Sequence, residues 1–288
     1  MTPDLSNRPQ RHFIRHALVL ILLASGVTHP TLGDDDPPAT INPETMRLVF
    51  NDEFDALDVA RRRKPGSTWT AGLPYNGDFG GAAFVPTPRD GFPFRIEDGV
   101  LVIEANRRWD RKWESGLLSS IDRDYEGFAQ QFGYFEARMK LPSGRGVWPA
   151  FWLLGKNRNK DDFTAEIDIL EFHGARPGSF ESHTHVWNWD PSKEHQHQSK
   201  TQPVAVGTLS KEFNTFGALI TPDATAFYFN RSEIARFPTP HEFHQPMWLL
   251  LNLALDPEAD KTALKMPQRM HIDYVRVYAW PGGDMDVN

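Results

Sequence analysis

The stretch Ala165-Glu166-Ile167-Asp168-Ile169-Leu170-Glu171-Phe172 decides how this chain is read. Three carboxylates stand among branched and large apolar residues. That mixture favours a strand, because such side chains pack well on a pleated surface. Side chains alternate between the two faces of a regular strand. Glu166 and Asp168 would then share a face with Leu170, and Glu171 would point the other way with Ile167 and Ile169. Either an acid or a leucine would sit on the wrong side. One extra residue at Ile169–Leu170, a β-bulge, removes the conflict by returning Glu171 to the face of Glu166 and Asp168. Three acids then line one wall, with apolar residues packed behind them.

Such a wall suits two kinds of chemistry. Carboxylate oxygens bind hard cations such as calcium. Two carboxyls flanking a glycosidic bond can cleave it, one as nucleophile and one as acid/base. A solvated strand face is the plain alternative. It leaves the crowding unexplained, since like charges on one face repel and raise each other's pKa.

Beyond the acid stretch, short strands broken by Gly, Pro and Asp turns run from Met46 onward, the mark of a sandwich or barrel. Strands are expected at 46–50, 99–105, 117–120, 132–141, 182–187, 248–255 and 270–278. A hairpin is expected around Pro222-Asp223, between 213–221 and 224–230. The continuous apolar run Trp248–Leu255 reads as a strand buried on both faces. Two stretches, 69–93 and 187–203, lack strand character and read as long loops walling a cleft. Their aromatic content argues against disorder.

The flanking blocks resemble those of glycoside hydrolase family 16. Glu166-Ile-Asp-Ile-Leu-Glu171 resembles that family's E-x-D-x-x-E signature in its bulged form. Asn51-Asp-Glu-Phe54 resembles its opening block, and Phe132–Pro142 and Gly146–Trp152 the blocks before the acids. Asp273–Tyr278 resembles the closing strand. The likeness covers about Met46 to Tyr278. It implies an all-β, concanavalin-like jelly-roll sandwich of two bent antiparallel sheets, with the acids on the concave face. It further implies Glu166 as nucleophile, Glu171 as acid/base and Asp168 between them, holding geometry and proton placement through its negative potential. The 69–93 loop and Trp113-Glu-Ser-Gly116 look most like bacterial members acting on exopolysaccharides or mixed β-glucans. One departure is visible: members often carry Phe-His-Thr-Tyr where this chain has Phe213-Asn-Thr-Phe216.

Candidate substrate contacts follow. Trp148 and Trp152 have even spacing and share a face next to the acids; in the family, the position of Trp148 stacks on sugar. Trp113, Trp187 and His185 join them, with core packing as the alternative for the tryptophans. His183 and His185 alternate on one strand face, as zinc ligands can. A catalytic zinc takes three protein ligands, however, and no H-E-x-x-H motif exists. His185 is expected to hydrogen-bond substrate or acids, His183 to be structural, and His195 and His197 to be solvated. The resemblance implies that Glu53 and Asp273 contribute to a structural calcium site, an ordinary surface role being the alternative. No other cofactor is expected.

Residues 1–33 read as a secretory signal peptide: Arg8, Arg11 and Arg15 precede the apolar run Ala17–Ala24, too short to span a bilayer. Residues 34–45 read as a linker, 46–280 as the catalytic domain and 281–288 as a C-terminal tail. Without residues 1–33 the chain has 28 basic and 37 acidic residues, a net charge of −9. That charge repels polyanions. Nucleic acid and heavily sulfated polymers are therefore unfavourable partners. The chain is expected to be a secreted or periplasmic monomer, free of the membrane once processed, that cleaves β-linked polysaccharide internally. A transglycosylase on the same residues and a non-catalytic carbohydrate-binding module are the alternatives.

Overall fold

The computed structural model describes residues 39–281, apart from 62–65, 76, 87–88, 108, 110–111, 160–161, 261 and 263. The expected signal peptide, the first part of the expected linker and all but one residue of the tail lie outside the described residues. No helix among the described residues is long and apolar enough to cross a membrane.

Two sheets form a jelly-roll sandwich. A ten-stranded sheet runs in the order Ser232–Pro238, Ala224–Phe229, Asn214–Ile220, Gly133–Lys140, Gln268–Ala279, Val100–Arg107, Trp113–Ser115 and Ala83–Phe84. Arg47–Asp52 pairs beside Gln268–Ala279, and Phe94–Glu97 beside Val100–Arg107. An eight-stranded sheet runs Gln196–Pro203, Ser179–Asn188, Phe163–Glu171, Val147–Gly155, Met247–Leu255, Leu117–Ser119, Trp69–Ala71 and Val59–Ala60. The long strands pair antiparallel. Two short pairs, Val59–Ala60 with Trp69–Ala71 and Ala83–Phe84 with Trp113–Ser115, are parallel.

Alternation fills the space between the sheets. Phe135, Ala137 and Met139 face the core from one sheet, and Phe151, Leu153, Ile167, Leu249 and Leu251 from the other. Burying each of these side chains larger than alanine stabilises the fold by roughly 1.5–3 kcal/mol relative to exposure. Met247–Leu255 is buried along its whole length, as its unbroken apolar run anticipates. Its even-numbered residues Trp248, Leu250 and Ala254 pack into a second apolar layer on the sheet's outer face. Leu73, Tyr75 and Phe79 join that layer from the segment after Trp69–Ala71.

Three expectations change. Residues 196–203 form a strand, not a loop wall. Gln196–Pro203 is the sheet's last strand and carries polar residues on both faces, so it shows no hydrophobic alternation. The 69–93 stretch contains two short strands as well as its loop. Residues 39–45 are docked and not a free linker: Ile41 N–H donates to the Arg231 carbonyl and Glu233 N–H to that of Ala39.

Candidate active site

The bulge is where the sequence demanded it. Against Val147–Gly155, Leu170 pairs with Phe151 and Asp168 with Trp152, so Ile169 is the extra residue. Against Ser179–Asn188, Asp168 pairs with His183 and Glu171 with Glu181, which again skips one position. Ile167, Ile169 and Leu170 all sink into the core, while Glu166 and Glu171 stay half-buried on the outer face. Asp168 shares that face and is 5% exposed. The Ser182 hydroxyl donates to the Ile169 carbonyl at 2.9 Å, satisfying backbone that the bulge takes out of the ladder.

Neutral donors surround the three acids. Trp148 Nε1 donates to Glu171 Oε1 at 2.8 Å, and Trp187 Nε1 to Glu166 Oε2 at 3.2 Å. His183 Nε2 lies 3.3 Å from Glu171 Oε2, and His185 Nε2 lies 3.3 Å from Asp168 Oδ2. Carboxylate oxygens of Glu166 and Asp168 and a ring nitrogen of His185 all lie within 4.8 Å of one another. Burial raises the pKa of Asp168 well above the usual carboxylate range, and the Glu171 charge adds to the effect. Burial also raises that of Glu171, against the Trp148 N–H, which favours the ionised form. The coupled pair therefore retains a proton where ordinary carboxyls have lost theirs.

Four histidines and Trp187 form a stacked row beside the acids. Trp187 lies 3.8 Å from the His195 ring, and His185 lies 4.6 Å from that of His197, both nearly parallel. His195 and His197 are exposed, as expected, and at the same time extend the stacked row. His183 also reaches an acid, where a structural role was expected. Burial lowers the pKa of His183, His185 and His195 to about 4. The alternation Glu194-His195-Gln196-His197-Gln198 was the available signal. A polar alternating run is a strand pattern without a buried face.

The other candidates separate. Trp148 reaches the acids, and His173 stacks on it at 5.5 Å. Trp152 lies in the second apolar layer, 8% exposed, with Phe79 edge-on at 5.7 Å and its Nε1 donating to Asn252 Oδ1 at 2.7 Å. It supports the floor and offers no open sugar platform. Phe79 was missed; it packs edge-on against both Trp148 and Trp152. Gly80 makes that possible: its φ is +74°, and a Cβ there would stand 2.8 Å from the Leu255 carbonyl oxygen. Trp113 belongs to the other sheet, with the Arg107 guanidinium 5.0 Å from its ring centre.

Glu53 and Asp273 do not fit the calcium role as they stand. Arg276 binds Glu53 through two N–H groups at 2.8 and 2.9 Å, and Arg138 pairs with Asp273. A guanidinium against each carboxylate is the wrong complement for a cation that needs several oxygen ligands.

Fold and site together define a class: jelly-roll sandwiches carrying a glycosidase-type set of carboxyls. The chain belongs to the glycosyl hydrolases family 16, whose family model matches residues 95–284. It is 34% identical over 197 residues to an endo-1,3-1,4-beta-glycanase of Rhizobium meliloti, covering 65% of this chain and 40% of the relative. A second endo-1,3-1,4-beta-glycanase of Rhizobium meliloti is 30% identical over 263 residues, covering 83% of this chain and 53% of the relative. The chain thus spans about half the length of these relatives or less. Among solved structures, the laminarinase catalytic domain of Thermotoga maritima superposes with a TM-score of 0.64 at 24% identity, over 84% of this chain and 99% of that one. That likeness carries the fold.

Proposed function

We propose that this chain is an exported, retaining endo-hydrolase of β-linked polysaccharide. The first substrate in view is β-1,3- or mixed β-1,3/1,4-glucan, and the second a bacterial exopolysaccharide. The observation that carries this reading is the bulge at Ile169, which puts Glu166, Asp168 and Glu171 on one face. The names of the relatives, endo-1,3-1,4-beta-glycanases, support a polymer with β-1,3 and β-1,4 linkages, and the basic n-region and apolar run of residues 1–33 support export.

The chemistry runs in two displacements. Glu166 attacks the anomeric carbon while the bond to the leaving oxygen breaks, and Glu171 gives that oxygen its proton. A covalent glycosyl–Glu166 ester results. Glu171, now ionised, takes a proton from water as the water attacks the same carbon and frees Glu166. The Trp187 N–H steadies the ionised nucleophile. The proton held by Asp168 and Glu171 supplies the acid, because burial keeps it there at a pH where free carboxyls are ionised.

Incubation with a panel of neutral, mixed-linkage, acidic and sulfated polysaccharides, read by product size and by proton NMR of the first-formed sugar, tests the reading. Shortened β-glucan chains released first as the β-anomer are expected. Initial release of the α-anomer would overturn the nucleophile assigned to Glu166. Redistributed chain lengths would establish transglycosylation in place of hydrolysis.

A further inference from the structure

We propose that His183, His185 and His197 form a binding site for a divalent transition-metal ion, zinc before others, on the outer face beside the acids. One ring nitrogen from each lies within 4.8 Å of the other two. The strand register builds the cluster. His185 and His197 are direct cross-strand partners, and His183 lies two residues along the same strand on the same face.

His183 Nδ1 and His197 Nε2 are 3.1 Å apart. Zinc–nitrogen bonds of about 2.0–2.1 Å in a tetrahedron set two ligand nitrogens about 3.3 Å apart, so this pair stands near ligating separation. The third nitrogen comes from His185, whose Nδ1 meets His195 Nε2 at 3.0 Å, so an ion bound there takes the place of that contact while Nε2 stays on Asp168. Imidazole suits zinc, copper and nickel, whereas oxygen sets suit calcium and magnesium, so the cluster discriminates against the hard ions.

The far sides of two rings complete the arrangement. His183 Nε2 faces Glu171 Oε2, and His185 Nε2 faces Asp168 Oδ2, each at 3.3 Å. Metal-bound imidazoles commonly donate their second N–H to a carboxylate, which fixes tautomer and ring orientation. N–H···N hydrogen bonding accounts for two close pairs of nitrogens, His183 with His197 and His185 with His195. It does not account for three rings converging with two carboxylates behind them. An ion bound there would lie one imidazole away from Glu171 and from Asp168.

This inference is independent of the hydrolase reading, since its readout is metal binding. The full chain, made without a polyhistidine tag and stripped with a chelator, is titrated with Zn²⁺ near neutral pH by calorimetry. Titration with Co²⁺ is followed by visible absorption. One ion per chain is expected, with a rise in melting temperature. His183→Ala and His197→Gln should each weaken binding at least about tenfold. His241→Ala/His244→Ala, a histidine pair elsewhere, should change nothing. The glutamine variant keeps a hydrogen-bonding side chain in the row and so guards against loss of fold in the alanine variant. Absence of saturable binding, or binding of unchanged affinity in His183→Ala and His197→Gln, would overturn the proposal.

Discussion

Each sheet carries a carboxylate among partners on its outer face, and the partners differ in kind. On the ten-stranded sheet Glu136 is fully buried. It accepts two N–H bonds from Arg231 at 2.9 and 3.0 Å, and the hydroxyls of Tyr134 at 2.8 Å and Tyr274 at 2.9 Å. A guanidinium and two hydroxyls satisfy both oxygens, so every lone pair in reach is engaged and the group has no task but to stay. On the eight-stranded sheet Glu171 and Asp168 meet indole and imidazole, which are neutral when the surroundings ask for it. Burial there is not balanced by a guanidinium in contact, and the pair holds a proton that it can give away. Charge complement, more than depth, separates a structural acid from a chemical one.

The largest expected effects break this comparison at its two ends. Glu166→Ala should lower kcat/KM on β-glucan by more than about 10³-fold, about 4 kcal/mol of transition-state stabilisation. Its urea midpoint should be unchanged or raised, because a crowded charge is removed. Glu136→Ala should do the reverse. It leaves Arg231 without its anion and costs about 3–5 kcal/mol of stability, while the folded fraction keeps its kcat. Paired denaturation curves and initial rates on both variants check this. A Glu136→Ala protein that melts like the parent, or a Glu166→Ala protein that turns over normally, would dissolve the distinction.

Most of the acid site was legible because one conflict in the sequence had one local solution. Three acids and four apolar residues between 165 and 171 fit a single strand only with a bulge at 169–170, and that is where the register shifts. The apolar strands were legible for the same reason, since alternation names the buried face. What was not legible lies where pattern has no buried face to report. Gln196–Pro203 pairs on one side only and alternates polar with polar, so His195 and His197 read as a solvated loop. The apolar side chains of the second layer, Trp152 and Phe79 among them, look like cleft aromatics until the loop that carries Phe79 is seen folded over the sheet. Glu53 lies 223 residues from Arg276 and Asp273 lies 135 residues from Arg138, and no spacing rule announces such pairs.

The next prediction concerns pH and follows from opposite shifts in the same site. His183, His185 and His195 have folded values lowered by burial to about 4, against an ordinary value near 6.5. Between those limits the unfolded chain binds protons that the folded chain refuses, so stability from these groups is lost as pH falls from about 6.5 toward 4. Asp168 and Glu171 are raised, so their contribution has the other sign: it is present below the ordinary carboxylate range and lost as pH rises through their folded values. The histidines are more numerous, and melting temperature should fall on acidification through this window. Replacing His195 by Asn should flatten that slope measurably, whereas Arg231 and Glu136, which no histidine contacts here, give no reason for one. An unchanged slope would show that the row is already solvated and protonates freely.

The smallest effect asked of the comparison is a single N–H. Trp148 Nε1 donates to Glu171 Oε1 and so favours the ionised acid, while burial pulls the other way. Trp148→Phe removes the donor and keeps most of the ring. The pKa of Glu171 should then rise further, because burial is left opposed only by the more distant Arg176 charge. In the pH–rate profile the alkaline limb reports loss of the acid's proton, so that limb should move to higher pH by a fraction of a unit up to about one unit, the scale of a charge-assisted hydrogen bond of about 1.5 kcal/mol. The maximal rate should fall modestly, within about tenfold, as the ring loses one anchor. Tyr274→Phe removes a comparable donor from Glu136 at 2.9 Å and should leave the same limb where it was, while lowering the urea midpoint. The pair is read from kcat/KM across pH on both variants. A limb that shifts to lower pH in Trp148→Phe would mean that the indole stabilises the neutral acid, and the assignment of the proton to Glu171 would have to move to Asp168.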